Sequence, residues 1–228
     1  MSTTESPAVG ELVARISELE HRLGILEDTR AIERLQYQYG YYLDKCYYDE
    51  VVELFTDDDP SVYFLHGHFR GKDGVGRLYS GRFKERFAGG TNGPVHARLL
   101  DHPQLQPVIT VAPDRRTAKA RFRTLMQAGN HLTHEAPRQW WEGGIYENEY
   151  VRENGQWRIK VLFFRQVFQA EFEKGWMHSD ANYTAYLTEC YPDDPYGPDE
   201  IVGGWKMFPE TETVSFHYPH PVTGDPVA

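Results

Sequence analysis

The strongest constraint on this chain is a change in hydrophobic period about a quarter of the way along it. Before that point apolar residues recur every three or four positions; after it they alternate. Leu12, Ile16, Leu19, Leu23 and Leu26 fall at spacings of four and three. That spacing predicts a helix with a narrow apolar stripe, long enough to zip against a partner or lie across the domain. Two heptads are too few to specify a free-standing coiled coil. A second helix is expected over Thr29–Cys46, with Ile32, Leu35, Tyr39 and Leu43 on one face. A short third, Asp49–Phe55, is stopped by Asp57-Asp58-Asp59-Pro60. Val62–Leu65 reads as a short strand, and Gly71–Phe87 as a helix closed by Gly89-Gly90. Four long strand candidates follow, over 94–111, 116–128, 139–152 and 156–169. Pro113-Asp114, the Pro137 region and Glu153-Asn154-Gly155 separate them, and Asn-Gly between aromatic-rich runs is a hairpin signal. Helices first and long antiparallel strands after predict an α+β fold, in which a curved sheet wraps the helices and encloses a pocket.

Composition narrows the function. Against 24 Lys+Arg stand 34 Asp+Glu, a net charge of -10, which argues against nucleic acid and weakly against anionic lipid. No apolar run approaches the ~20 residues that span a bilayer. The first residues lack the basic start and apolar stretch of a secretory signal, and Cys46 and Cys190 make no disulfide framework. The expectation is a cytoplasmic protein acting on a small molecule. Three segments are expected: an extension with an amphipathic helix over 1–27, of which residues 1–9 are a disordered lead; the α+β body over 28–170; and an aromatic- and Pro-rich extension over 171–228. From Tyr191 onward the chain still holds Trp205, Phe208, Phe216 and Tyr218, so this last segment is expected to pack on the body or on a neighbouring subunit.

Several polar residues fall where chemistry needs them. Asp44 ends an apolar helical face, and a carboxylate there is costly to bury without a partner; the alternative is a helix-end Asp bonding backbone or solvent. His96, on the first long strand candidate, shares a face with Arg98 and Leu100. It is either a partner for Asp44 or a satisfied core histidine. Tyr146, Asn148, Tyr150 and Arg152 alternate on one face, too polar for a dry core and suited to a wet pocket; Arg152 alone could equally pair with a surface Glu. Tyr63 is a strand residue that packing alone would explain. His66-Gly67-His68 lacks the Glu that would complete a cupin-like metal site, His131 and His134 lack zincin spacing, and Gly71–Gly76 matches no phosphate-binding fingerprint. No metal and no cofactor are expected. Cys46 reads as packing. Trp140, Trp141, Phe163, Phe164 and Phe168 would supply aromatic walls.

The run Ile32-x-x-Leu35, Tyr39, Leu43-Asp44, Val51-x-x-Leu54-Phe55-Thr56-Asp57-Asp58 resembles the opening of SnoaL-like proteins in the nuclear transport factor 2-like superfamily. Gly143-Gly144-x-Tyr146-x-Asn148-x-Tyr150-x-Arg152-x-x-Gly155-x-Trp157 is similar to that family's penultimate hairpin. The resemblance spans about 28–170 and implies a cone-shaped α+β barrel, often dimeric or trimeric. Members include scytalone dehydratase, lindane dehydrochlorinase, ketosteroid isomerase relatives, polyketide cyclases and non-catalytic oxygenase subunits. By resemblance to the first two, His96 would be the general base and Asp44 would fix its tautomer. Arg152 would orient Asp44 or steady a developing oxyanion. Tyr39 stands where the dehydrochlorinase has a Lys, which favours an oxygen leaving group over halide. Tyr63, Arg98, Tyr146 and Asn148 would contact substrate. The resemblance thus implies a cofactor-independent lyase on a hydroxylated aromatic molecule, by dehydration or, given the likeness of the aromatic-rich tail to that of diarylpropane lyases, by formaldehyde release from a lignin-derived dimer. The alternatives are an isomerase or cyclase and a non-catalytic oxygenase subunit. A homo-oligomer, dimer or trimer, is expected.

Overall fold

A computed structural model describes residues 9–179, 193–203 and 205–227. The expected disordered lead, apart from Val9, and Cys190 and Tyr191 lie outside the described residues. The two N-terminal helices expected from the sequence are one. Helix α1 runs unbroken from Val9 to Asp44, because nothing between Leu26 and Thr29 breaks a helix. Its second half buries Ile32, Leu35, Tyr39 and Leu43, each apolar side chain worth roughly 1.5–3 kcal/mol of transfer free energy. Helix α2 (Tyr48–Glu53) follows, then the hairpin of β1 (Ser61–Phe64) and β2 (Gly67–Arg70). A helical run comes next: α3 (Gly71–Gly76), a π-helical stretch (Arg77–Phe83) and α4 (Lys84–Ala88), ended by Gly89 in the left-handed conformation. No described helix is long and apolar enough to cross a membrane.

The remaining strands are β3 (Arg98–Asp101), β4 (Leu105–Val111), β5 (Thr117–Asn130), β6 (Arg138–Glu153), β7 (Gln156–Glu171) and β8 (Glu200–Ile201). They form one sheet in the order β3-β5-β6-β7-β1-β2-β8, with β4 also on β5. Among the described strands β1–β7 is the one parallel pair, and an isolated parallel bridge joins Phe55 to Ile159. Asn154 and Gly155 both have positive φ, the turn that suits a two-residue hairpin between β6 and β7. Bulges at Gly143/Gly144 and Glu149/Tyr150 add the bend that lets the sheet wrap α1.

The single strand expected over 94–111 is two. Residues 102–104 interrupt it, and β3 and β4 pair with different parts of β5. Pro103 has no N–H to give a ladder, which makes this the natural break. The expected tail contacts are with the body. Val214 and Ser215 carbonyls accept bonds from Arg121, whose guanidinium lies 4.1 Å from the Phe216 ring centroid. His217 bonds Glu147. Trp205 packs on Phe163, and Phe208 N–H donates to the Val167 carbonyl.

Candidate active site

The sheet and helices enclose a cavity of about 390 Å³. Its apolar wall includes Leu43, Phe64, Phe83, Leu100, Met126, Trp140 and Phe164, and its polar groups include Tyr39, His102, Arg98, Glu142 and Tyr146. Alternation decides which aromatics reach it. Phe64, Trp140 and Phe164 face inward, whereas Tyr63, Phe163 and Trp141 pack elsewhere: Tyr63 stacks on His68 at 4.0 Å, and Trp141 stacks on Phe172. Tyr63, expected to contact substrate, is thus not among the residues that line the cavity.

The imidazole that meets Asp44 is His102, not His96. The His102 Nδ1 lies 2.7 Å from Asp44 Oδ1, and the His102 backbone N–H donates to the same oxygen at 2.8 Å. Their side chains are 13% and 11% exposed. His96 is exposed in the turn before β3, where Ala97 takes a positive φ, so the strand face expected to carry it has not begun. The 102–104 loop reaches α1 because position 40 is glycine: a β-carbon there would sit 2.9 Å from Gln104 Cγ and 3.2 Å from the His102 carbonyl oxygen. Gln104 Nε2 donates to that carbonyl at 2.8 Å and is itself tied to Gln36. Nδ1–H donation to the Asp44 carboxylate leaves Nε2 as the basic nitrogen of a ring that lines the cavity.

Asn148 also sits elsewhere than expected. It is fully buried and bonds Gln36, Tyr150 and the Phe163 N–H. With Tyr150 donating to Gln36 at 2.7 Å, this network braces the loop that carries His102 rather than lining the cavity. Arg152 lies further along the same face. Its Nη1 is 3.3 Å from Asp28 Oδ1, in a cluster with Arg115 and Trp157 at the other end of the buried half of α1. Burial alone would raise the Asp28 carboxyl, but bonds from Arg115 and Trp157 and the charge of Arg152 hold it below its ordinary value.

Tyr39, Arg98 and Tyr146 do line the cavity. The Tyr39 and Tyr79 hydroxyls are 3.0 Å apart, and burial pushes the Tyr39 and Tyr146 phenols well above their usual range, so both remain hydrogen-bond donors. The Arg98 guanidinium lies 5.6 Å from the Phe87 ring centroid, and its buried Nε has no hydrogen-bond partner among the described residues. The exposed side chains of Arg86 and Arg138 mark the mouth. Glu142 is a cavity group that sequence reasoning missed. Burial raises its carboxyl to about 7, against an opposing hydrogen bond from Gln166. Extending the Tyr146–Arg152 alternation two strides back would have found it; the proline after His102 was the available signal for the strand break.

Residues 24–162 match the SnoaL-like domain family model. The chain belongs to this family. A putative scytalone dehydratase from Novosphingobium aromaticivorans is 24% identical, with 65% of this chain and 90% of that one covered and a TM-score of 0.51. Hexachlorocyclohexane dehydrochlorinase LinA-type3 from Novosphingobium barchaimii LL02 is 18% identical, covering 66% and 94%, with a TM-score of 0.53. A putative aromatic ring hydroxylase from Novosphingobium aromaticivorans is 17% identical, covering 65% and 96%, at 0.51. No curated protein matches the chain in sequence. At these identities the likeness to solved structures is one of fold: helices at the N-terminus against a large, curved, mostly antiparallel sheet.

Proposed function

We propose that this SnoaL-like protein is a cofactor-independent lyase on a hydroxylated aromatic small molecule, with His102 as general base. The observation that carries the reading is the His102–Asp44 hydrogen bond of 2.7 Å at the wall of an aromatic cavity. Asp44 does not line that cavity, so it is a positioning residue. It fixes the tautomer that exposes Nε2 and steadies the imidazolium after proton transfer. Glu142, near neutrality because it is buried, supplies the proton.

In dehydration, His102 Nε2 takes a proton from the carbon beside the leaving group. The C–O bond breaks, and Glu142 protonates the departing hydroxide to water. In formaldehyde release, His102 takes the proton of a primary carbinol. The C–C bond breaks, and Glu142 protonates the carbanion that remains. Arg98, with its unpartnered Nε, and the Tyr39 and Tyr146 hydroxyls would hold substrate oxygens as charge develops. The aromatic walls suit one or two substrate rings.

The test is incubation with hydroxylated aromatic dimers of the lignin type, hydroxylated polyketides and steroids, read by mass spectrometry. Loss of one water or one formaldehyde supports the reading. An unchanged mass with a new product assigns the same base to isomerisation. His102→Ala should lower turnover by roughly 10²–10⁴-fold, the usual worth of a general base, and a folded variant with normal turnover removes His102 from the chemistry. His96→Ala should leave turnover unchanged.

A further inference from the structure

Helix α1 is half anchored and half free. From Gly24 onward it buries Gly24, Asp28, Ile32 and Leu35 against the body, while every residue from Val9 to Leu23 is exposed. The exposed half is not polar. Val9, Ile16 and Leu23 occupy successive a positions of a heptad, and Leu12, Leu19 and Leu26 the d positions between them. Their exposures run from 42% at Leu12 to 77% at Val9. This stripe lies about half a turn round the helix from the body-facing residues, at 3.6 residues per turn. It therefore faces away from the protein's own core.

We propose that this stripe is the seam of a parallel, two-stranded coiled coil with a second copy of this chain. Three observations converge on that partner. β-Branched Val9 and Ile16 at a, with Leu at every d, is the pattern that favours two parallel strands. The flanking g positions are Arg15 and Arg22, and the e positions one heptad on are Glu20 and Glu27. In a parallel pair each g residue meets the partner's e residue, giving Arg15 against Glu20 and Arg22 against Glu27 on both sides. An antiparallel pair would set Arg against Arg and Glu against Glu. Arg15, Glu20 and Arg22 make no ion pair among the described residues of their own chain.

The short length of the seam is offset by its anchor. The buried half of α1 is already helical, so the free half extends an existing helix and avoids the nucleation cost of an isolated peptide. The next a position is Arg30, engaged with Glu33, which ends the seam where the body begins. The proposal is independent of the reaction assigned to the cavity.

The experiment is light scattering of the full chain beside Ile16→Lys/Leu23→Lys, with far-UV circular dichroism and thermal melting to show that the body is intact. The expected result is a halved particle mass with an unchanged melt. Leu12→Cys then reads orientation. In the parallel seam it forms a covalent dimer with itself on mild oxidation, whereas the native chain does not. An unchanged mass in the lysine variant overturns the proposal. So does cross-linking that requires a mixture of Leu12→Cys and Leu26→Cys chains.

Discussion

Two carboxylates on one helix meet opposite environments. Asp28 and Asp44 lie about 24 Å apart along α1, at 1.5 Å per residue. Asp28 is 3% exposed and receives Arg115 at 2.5 Å, the Trp157 indole N–H at 3.0 Å and Arg152 at 3.3 Å. Its charge is neutralised by three fixed donors, and the four groups line an open hollow of about 610 Å³ that is separate from the aromatic cavity and has few aromatic walls. Asp44 receives one imidazole and that residue's backbone N–H, and the imidazole lines a cavity. The contrast teaches that ion-pair strength does not mark a reactive centre. Under the proposed function the saturated carboxylate is structural, and the sparsely held one, joined to the imidazole that lines the aromatic cavity, serves the chemistry. It also explains why Arg152 does not reach the cavity: along its strand it belongs to the Asp28 end.

The sharpest way to break the comparison is to neutralise each carboxylate in turn. Asp44→Asn keeps the shape but no longer favours Nδ1–H, so turnover should fall by roughly 10²–10⁴-fold with little change in melting temperature. Asp28→Asn should do the reverse. It strands two partly exposed guanidinium groups and weakens a buried bond to Trp157, costing about 3 kcal/mol, the lower end for breaking a buried pair. Turnover per folded molecule should stay within about twofold, well inside the loss expected of a missing catalytic group. If Asp28→Asn abolishes turnover and Asp44→Asn only destabilises, the assignment of the two ends is inverted.

The fold was largely legible because it is written in periodicity. The α-to-β switch, the Asn154-Gly155 hairpin and the Gly89 stop are local signals, and each appears in the structure. The site was legible only in part, because pairing across the chain is not a local property. From sequence, Asp44 reads as a carboxylate in need of a partner. The choice between His96 and His102 is not local, because both share one strand candidate and only the break at Pro103 decides which turns back to α1. Gly40 makes that return possible, and it gives a smaller test. Gly40→Ala should raise helix propensity by about 1 kcal/mol yet push the 102–104 loop outward by a few tenths of an ångström. The expected result is an unchanged or higher melting temperature with turnover about tenfold lower, since small misplacements of a catalytic group are costly. Equal turnover would mean that the loop position does not control His102.

Asp28 also has a counterpart of opposite sign in the cavity, which pH can separate. Its carboxyl is held below the ordinary 3.8, because the bonds from Arg115 and Trp157 and the charge of Arg152 outweigh burial. The stability it contributes is present above that value and is lost as pH falls through its lower folded-state value. Glu142 runs the other way. Burial raises its carboxyl from 4.5 to about 7, so the folded state binds its proton more tightly than the unfolded chain does. Its contribution is fully present below about 4.5 and is lost as pH rises through 7. Melting temperature measured against pH should therefore decline on both sides. For a domain of this length each 1 kcal/mol moves it by about 2–4 °C. Asp28→Asn should shrink the acid decline, to which the lowered carboxyls of Glu33, Asp49 and Glu147 also contribute, and leave the neutral one, whereas Glu142→Gln should flatten the decline between pH 4.5 and 7 and leave the acid one. If the two variants shift the profile in the same direction, the two carboxyls do not differ in the way their surroundings require, and Glu142 loses its claim to be the proton donor.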